Sequence, residues 1–172
     1  MILPHPCITA PMGILSDRDI VESMMTGHIG ITGFDRKSLT PNGYDLRIAE
    51  IKILGRDGIH KEGMVSVPPR TMFYVSTMEA VRMGNCFCAE LWLRTTWIRK
   101  GVIGAFGKVD AGFNGTLTLG AYNASDSAVE IPVGERFCQM IIESLQSPAG
   151  KGYSERSGNY QNQNGVTLEP KK

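Results

Sequence analysis

An excess of charge of either sign is missing from this chain. Its 18 lysines and arginines are set against 17 aspartates and glutamates, a formal net of +1 over 172 residues. Affinity for duplexes rests largely on phosphate neutralisation by lysine and arginine, so a nucleic-acid polymer is not the expected partner. With 42% hydrophobic residues the composition also speaks against disorder. Long apolar runs are missing too, and nothing approaches the ~20 residues that span a bilayer. The opening residues, MILPHPCITAPMG, carry neither the basic stretch nor the sustained apolar stretch of a secretory signal. The expectation is a cytoplasmic protein with no membrane partner.

Metal-binding residues are sparse. His5, His28 and His60 are scattered through turn-like sequence, and Cys7, Cys86, Cys88 and Cys138 have no metal-ligand spacing. Cys86 and Cys88 fall on one face of an expected strand and read as buried free thiols. The zinc-site signature H-x-E followed by P-C-x-x-C is also absent.

What is present reads as one domain, residues 1–172, rich in short strands. Pro4, Pro6, Pro11 and Gly13 exclude a regular helix from residues 1–13. Ser16 and Asp19 are spaced as a capping box, and Ile20, Val21, Met24 and Met25 repeat at helical spacing until Gly27, which predicts one amphipathic helix over 17–26 with the Met pair as core filler. Strands are expected over 44–53, 64–67, 72–76, 86–93, 102–106, 116–122, 128–131 and 137–143, with a hairpin turn at Asp57-Gly58. Many short strands and almost no helix indicate an all-β barrel or roll. Beyond Pro148 the chain turns polar and glycine-rich, as a flexible tail does.

Three stretches concentrate residues able to do chemistry. In TPNGYDLR, Asp45 and Arg47 share a strand face, and the plain reading is a partly buried ion pair. Arg94-Thr95-Thr96 with Arg99 combines guanidinium forks and hydroxyls, which suit phosphate, though the same residues at a strand end also describe a solvated edge. Asp110 stands in the turn Val109-Asp110-Ala111-Gly112-Phe113, either as an Asx-type turn residue or as an acceptor for a ligand hydroxyl.

Taken in order, these blocks resemble the dCTP deaminase family of the dCTP deaminase/dUTPase superfamily. There a GRSSxxRxG loop holds the triphosphate, and its positions are filled here by Arg94, Thr95, Thr96 and Arg99. An xDPGF/WxG turn holds the deoxyribose, which assigns that role to Asp110; in dUTPases this aspartate is also tied to the attacking water. The LxLE strand end carries the catalytic glutamate of the deaminases, and here it reads Thr118-Leu119-Gly120. The C-terminal KYQGQxGxT segment resembles the stretch Asn159 to Thr167, with Gln163 matching a nucleotide-binding glutamine, Tyr153 an upstream tyrosine, and Asn159 replacing a phosphate-contacting lysine. Between Gly101 and Asp110 the base-reading hairpin is shorter than in the family.

The resemblance implies a distorted β-barrel of the dUTPase-like (β-clip) type, assembled as a homotrimer with sites for a deoxypyrimidine nucleoside triphosphate between subunits. It makes residues 1–13 an N-terminal extension and 148–172 a tail over the nucleotide. Three functions follow. One is conversion of dCTP and water to dUTP and ammonia, which Gly120 undermines because that step needs a general base. Another is a dUTPase-like pyrophosphatase using Asp110 and Mg²⁺ carried with the triphosphate. The third is a non-catalytic nucleotide-binding or assembly protein.

Overall fold

The computed structural model describes residues 13–171, so the expected N-terminal extension, with His5 and Cys7, lies outside the described residues but for Gly13. Helix α1 (Asp17–Met25) begins at a reciprocal capping box. The Asp19 backbone N–H donates to Ser16 Oγ (3.3 Å), and the Ser16 N–H donates to Asp19 Oδ2 (2.9 Å). Ile20 is fully buried and Met24 packs at the edge of the core. Met25 is 84% exposed, so only one of the Met pair fills the core.

Thirteen strands follow among the described residues: β1 (Ile29–Thr32), β2 (Leu39–Thr40), β3 (Gly43–Ile53), β4 (Met64–Val67), β5 (Thr71–Thr77), β6 (Ala80–Met83) and β7 (Phe87–Leu93), then β8 (Val102–Gly104), β9 (Lys108–Val109), β10 (Asn114–Gly115), β11 (Thr118–Asn123), β12 (Val129–Pro132) and β13 (Arg136–Ser144). Two single helical turns, α2 (Thr95–Ile98) and α3 (Tyr153–Arg156), add to the one helix expected.

The main sheet is a curled, antiparallel array in the order β8-β11-β5-β3-β13-β7-β9, with β2 also on β3; β1-β6-β10 and β12-β4 form two smaller sheets. The class is all-β, as expected. Around the core, Phe137 is an aromatic hub for Phe73, Trp97 and Phe106, with ring centroids 5.9–6.2 Å away.

Strand β3 changes face midway. Tyr44, Leu46 and Ile48 point into the core, and so do Ile51 and Ile53, so the period of two slips by one residue. A β-bulge between Ile48 and Glu50 in the pairing with β5 accounts for the slip. It turns Glu50 and Lys52 to the opposite side of the sheet.

Asp45 and Arg47 are both ion-paired, but not to each other. Asp45 meets Arg94 (3.0 Å) and Arg136 (3.5 Å), while Arg47 meets Glu79 (2.7 Å) and Asp35 (3.7 Å). Neighbours on one strand face lie side by side, whereas adjoining elements bring groups head-on. The cysteines also differ from expectation. Cys88 and Cys138 are free and buried, but Cys86 precedes β7 instead of sharing its face with Cys88, and it is disulfide-bonded.

Candidate active site

The floor of a cavity beneath the C-terminal segment is β11, where Thr118, Leu119 and Gly120 pair with Ser76, Val75 and Tyr74 of β5. One wall is the stretch 105–110, which includes Phe106, Lys108 and Asp110. The roof comes from the C-terminal segment through Tyr153, Tyr160, Gln163, Thr167 and Leu168. The cavity holds about 360 Å³, within the range that encloses small-molecule ligands.

The tail is not a loose polar segment. Its backbone runs alongside β10: the Asn162 N–H donates to Asn114 O (2.7 Å), the Thr116 N–H to Gln163 O (3.0 Å), and Gly115 and Gln163 form a parallel bridge. Gly115 permits this approach. It has φ +140, and a Cβ there would stand 2.9 Å from both Gln163 N and Gln163 O. The Gln163 side chain is buried and donates through Nε2 to Thr116 O (2.7 Å). Below it, Phe113 meets Tyr153 edge-on at 5.4 Å, and the Tyr153 hydroxyl accepts from the Tyr160 N–H (3.1 Å). Asn159 is not among the residues lining the cavity.

The charges around this cavity are few. Asp110 is the one carboxylate among the described residues that line it, and Lys108 the one cation. Asp110 begins a turn closed by the Phe113 N–H donating to Asp110 O (3.1 Å), which leaves its side chain exposed at the rim. Lys108 pairs with Glu90 (3.3 Å), whose hydrogen bond raises its pKa, and reaches Glu143 at 4.0 Å. Glu90 and Glu143 do not line the cavity. At Gly120 there is no side chain, and the space beside it is filled by Met72 and Tyr74, whose nearest atoms lie 3.1 and 3.7 Å from where a Cβ would stand.

The arginine–threonine stretch lies elsewhere. Arg94 caps α2 but turns its guanidinium inward, with Nε on Asp45 and Nη1 donating to Arg136 O (3.3 Å). Burial pushes the Asp45 carboxyl up, and Arg94 and then Arg136 pull it back. Thr95, Thr96 and Arg99 are exposed. Arg99 makes no ion pair among the described residues and borders a second, open depression with Lys100, Gly101, Ser125 and Glu130. Trp97 is buried, with its Nε1–H donating to Arg136 O (2.9 Å). One chain therefore brings Asp110, Thr118, Leu119, Gly120, Tyr153 and Gln163 together. It holds Arg94, Thr95, Thr96 and Arg99 apart from them.

Sequence reasoning did not single out Tyr74, Phe106, Lys108 or Tyr160 as cavity residues. Tyr74 sits in an expected strand, but only the β5–β11 register sets it against Gly120. Among the described residues no cluster of three or more histidines, cysteines or carboxylates could hold a metal ion, and no helix is long and apolar enough to cross a membrane.

The molecule is a small antiparallel, barrel-like protein with a roofed, mildly polar cavity. Residues 14–145 match the dCTP deaminase-like family, and the chain belongs to that family. Over 144 residues it is 38% identical to a dCTP deaminase of Pyrococcus horikoshii, covering 83% of this chain and 90% of that protein. It is 33% identical over 157 residues to a probable deoxyuridine 5'-triphosphate nucleotidohydrolase of Sulfolobus islandicus rod-shaped virus 1, covering 90% and 97%. The fold is shared with 2'-deoxycytidine 5'-triphosphate deaminase from Agrobacterium tumefaciens (TM-score 0.68, 15% identity, 78% of this chain). This chain spans about half of that one, 49%. It is also shared with the dUTPase of Staphylococcus bacteriophage 80alpha (TM-score 0.51, 20% identity, 72% and 94%).

Proposed function

We propose that the protein is a nucleotide pyrophosphatase of the dUTPase kind, cleaving a deoxypyrimidine nucleoside triphosphate to the monophosphate and pyrophosphate. The observation that carries this reading is the charge inventory of the cavity: among the described residues Asp110 is the one carboxylate lining it, and Gly120 stands where the family resemblance puts the deaminase glutamate. Deaminating cytosine requires a base beside the ring. Phosphoanhydride cleavage needs a water held and oriented at phosphorus, together with charge neutralisation. In that reaction the water oxygen bonds to the α-phosphorus, the bridging bond to the β-phosphate breaks, and pyrophosphate leaves. Asp110 accepts a hydrogen bond from the water and orients it. Mg²⁺ arrives with the triphosphate, as it is commonly held through substrate phosphates and waters.

The phosphate-binding groups, Thr95, Thr96 and Arg99, reach the cavity from a neighbouring copy in a homotrimer. Support comes from their exposure and from their separation from Asp110 within one chain. Such an enzyme works in the cytoplasm, where the nucleotide pool is.

The test is release of pyrophosphate and ammonia from dUTP and dCTP, with and without Mg²⁺, on protein whose mass is measured by light scattering. Pyrophosphate release that depends on Mg²⁺, no ammonia, and three chains per particle are expected. Robust ammonia release would make the protein a deaminase, as its archaeal relatives are named, with its base elsewhere. Nucleotide binding without either product would make it a non-catalytic binder, and a stable monomer would overturn the shared site.

A further inference from the structure

Strand β3 places one carboxylate beneath the tail, outside every block considered above. The bulge after Ile48 turns Glu50 out of the core, onto the sheet face that carries Ser76 and Thr118 in register across β5 and β11. The tail meets this row. The Val166 N–H donates to Glu50 Oε2 (3.0 Å), the Thr167 N–H donates to Thr118 Oγ1 (3.0 Å), and the Thr118 hydroxyl donates to Gly165 O (3.3 Å). Gly165 to Thr167 thus bridge β3 and β11, with β5 lying between those strands and Ser76 fully buried.

Glu50 is held in turn. Its Oε1 pairs with Lys61 Nζ at 3.0 Å, and Lys61 is brought there by the two backbone hydrogen bonds between Ile51 and His60. Gly165 is shaped to the carboxylate. It has φ +69, and a Cβ on it would stand 2.8 Å from Glu50 Oε2.

We propose that Glu50 is a positioning residue for the cavity: its carboxylate latches the turn at Gly165-Val166, and so fixes Gln163, Thr167 and Leu168 as the roof over a bound nucleotide. Glu50 itself does not line the cavity, so it acts through the tail. The proposal rests on the nucleotide reading of this cavity for its functional consequence, but the latch is a property of the ligand-free chain.

The experiment uses the full-length protein and three variants, Glu50→Ala, Glu50→Gln and Gly165→Ala. Backbone hydrogen exchange over residues 159–171 is followed without ligand. Affinity for α,β-imido-dUTP is then measured, with kcat and KM taken separately for the hydrolysed nucleotide. Glu50→Ala is expected to lose protection in the tail while β5, β11 and β13 keep theirs. Probe affinity should fall about tenfold or more, as for a lost hydrogen bond to a charged acceptor, with KM rising more than kcat falls. Glu50→Gln keeps an acceptor for Val166 but loses the charge, and should fall between. Gly165→Ala attacks the same contact from the tail and leaves β3 intact, so it should reproduce the loss even if Glu50→Ala folds poorly. Unchanged tail protection in Glu50→Ala and Gly165→Ala would overturn the latch. Tail protection lost in the variants, with no probe binding by the wild type, would sink the nucleotide reading and leave the latch standing.

Discussion

Tyr74 faces Gly120 directly across the β5–β11 pairing, and its Cε1 lies 3.7 Å from where a Cβ on Gly120 would be. The ring lies at ordinary contact distance from that point, whereas Met72 Cε, at 3.1 Å, is close enough that a Cβ there would push it aside. A larger side chain at Gly120 must therefore find room against Met72 and Tyr74.

Gly120→Glu is accordingly expected to yield at most a trace of ammonia from dCTP, and to destabilise the fold by about 1–3 kcal/mol, as overpacking does. Gly120→Ala meets only the mobile end of Met72 at 3.1 Å and should change stability by less than about 1 kcal/mol. Ammonia assays and denaturant unfolding of both variants check this. Strong deamination by Gly120→Glu would show that Tyr74 and Met72 do not block the position.

Arg94 and Arg99 should separate into different phenotypes. Asp45 is 3% exposed, and removing Arg94 leaves it only Arg136 at 3.5 Å. Arg94→Ala should cost about 2–4 kcal/mol of stability, near the low end for stranding a buried charge because one partner remains. Arg99 makes no such pair among the described residues. Arg99→Ala should leave the unfolding midpoint unchanged and weaken nucleotide affinity by about 1.5–3 kcal/mol, the range for a hydrogen bond to a charged group. Parallel unfolding and calorimetric titrations distinguish them. A stable Arg94→Ala protein with lost affinity would assign Arg94 to phosphate as well.

The Glu50 latch should weaken in acid. Burial works to raise the Glu50 pKa, but the Val166 N–H and Lys61 outweigh it and hold the carboxyl below its ordinary value. A carboxyl depressed by folding contributes stability above its unfolded pKa, which is lost as pH falls through the folded value. The stability difference between wild type and Glu50→Gln should therefore be constant near neutrality and shrink below about pH 4.3, the usual glutamate value. A difference that does not change down to pH 3 would mean that the charge of Glu50 does not hold the tail.

Short-range chemistry accounts for what could be read from residue order. The Ser16–Asp19 box and the apolar spacing after it specify α1, and β-propensity between turn residues specifies the central strands to within a residue or two, because each depends on neighbours a few positions away. The family blocks likewise lie close in sequence, so residue order alone could single out Asp110, Thr118, Leu119 and Gly120, which line one cavity. The tertiary structure decided what depends on partners far along the chain. Strands β1 and β6, which pair with each other while β10 pairs with the far edge of β6, were not among the expected strands. The bulge that flips β3 is set by the β5 register, and Glu50 finds Val166, 116 residues away, only after that flip. Asp45 and Arg47 looked like one pair because they are adjacent on a strand face. Folding gave each a separate partner, since a buried charge is stabilised by the opposite charge that packs head-on against it.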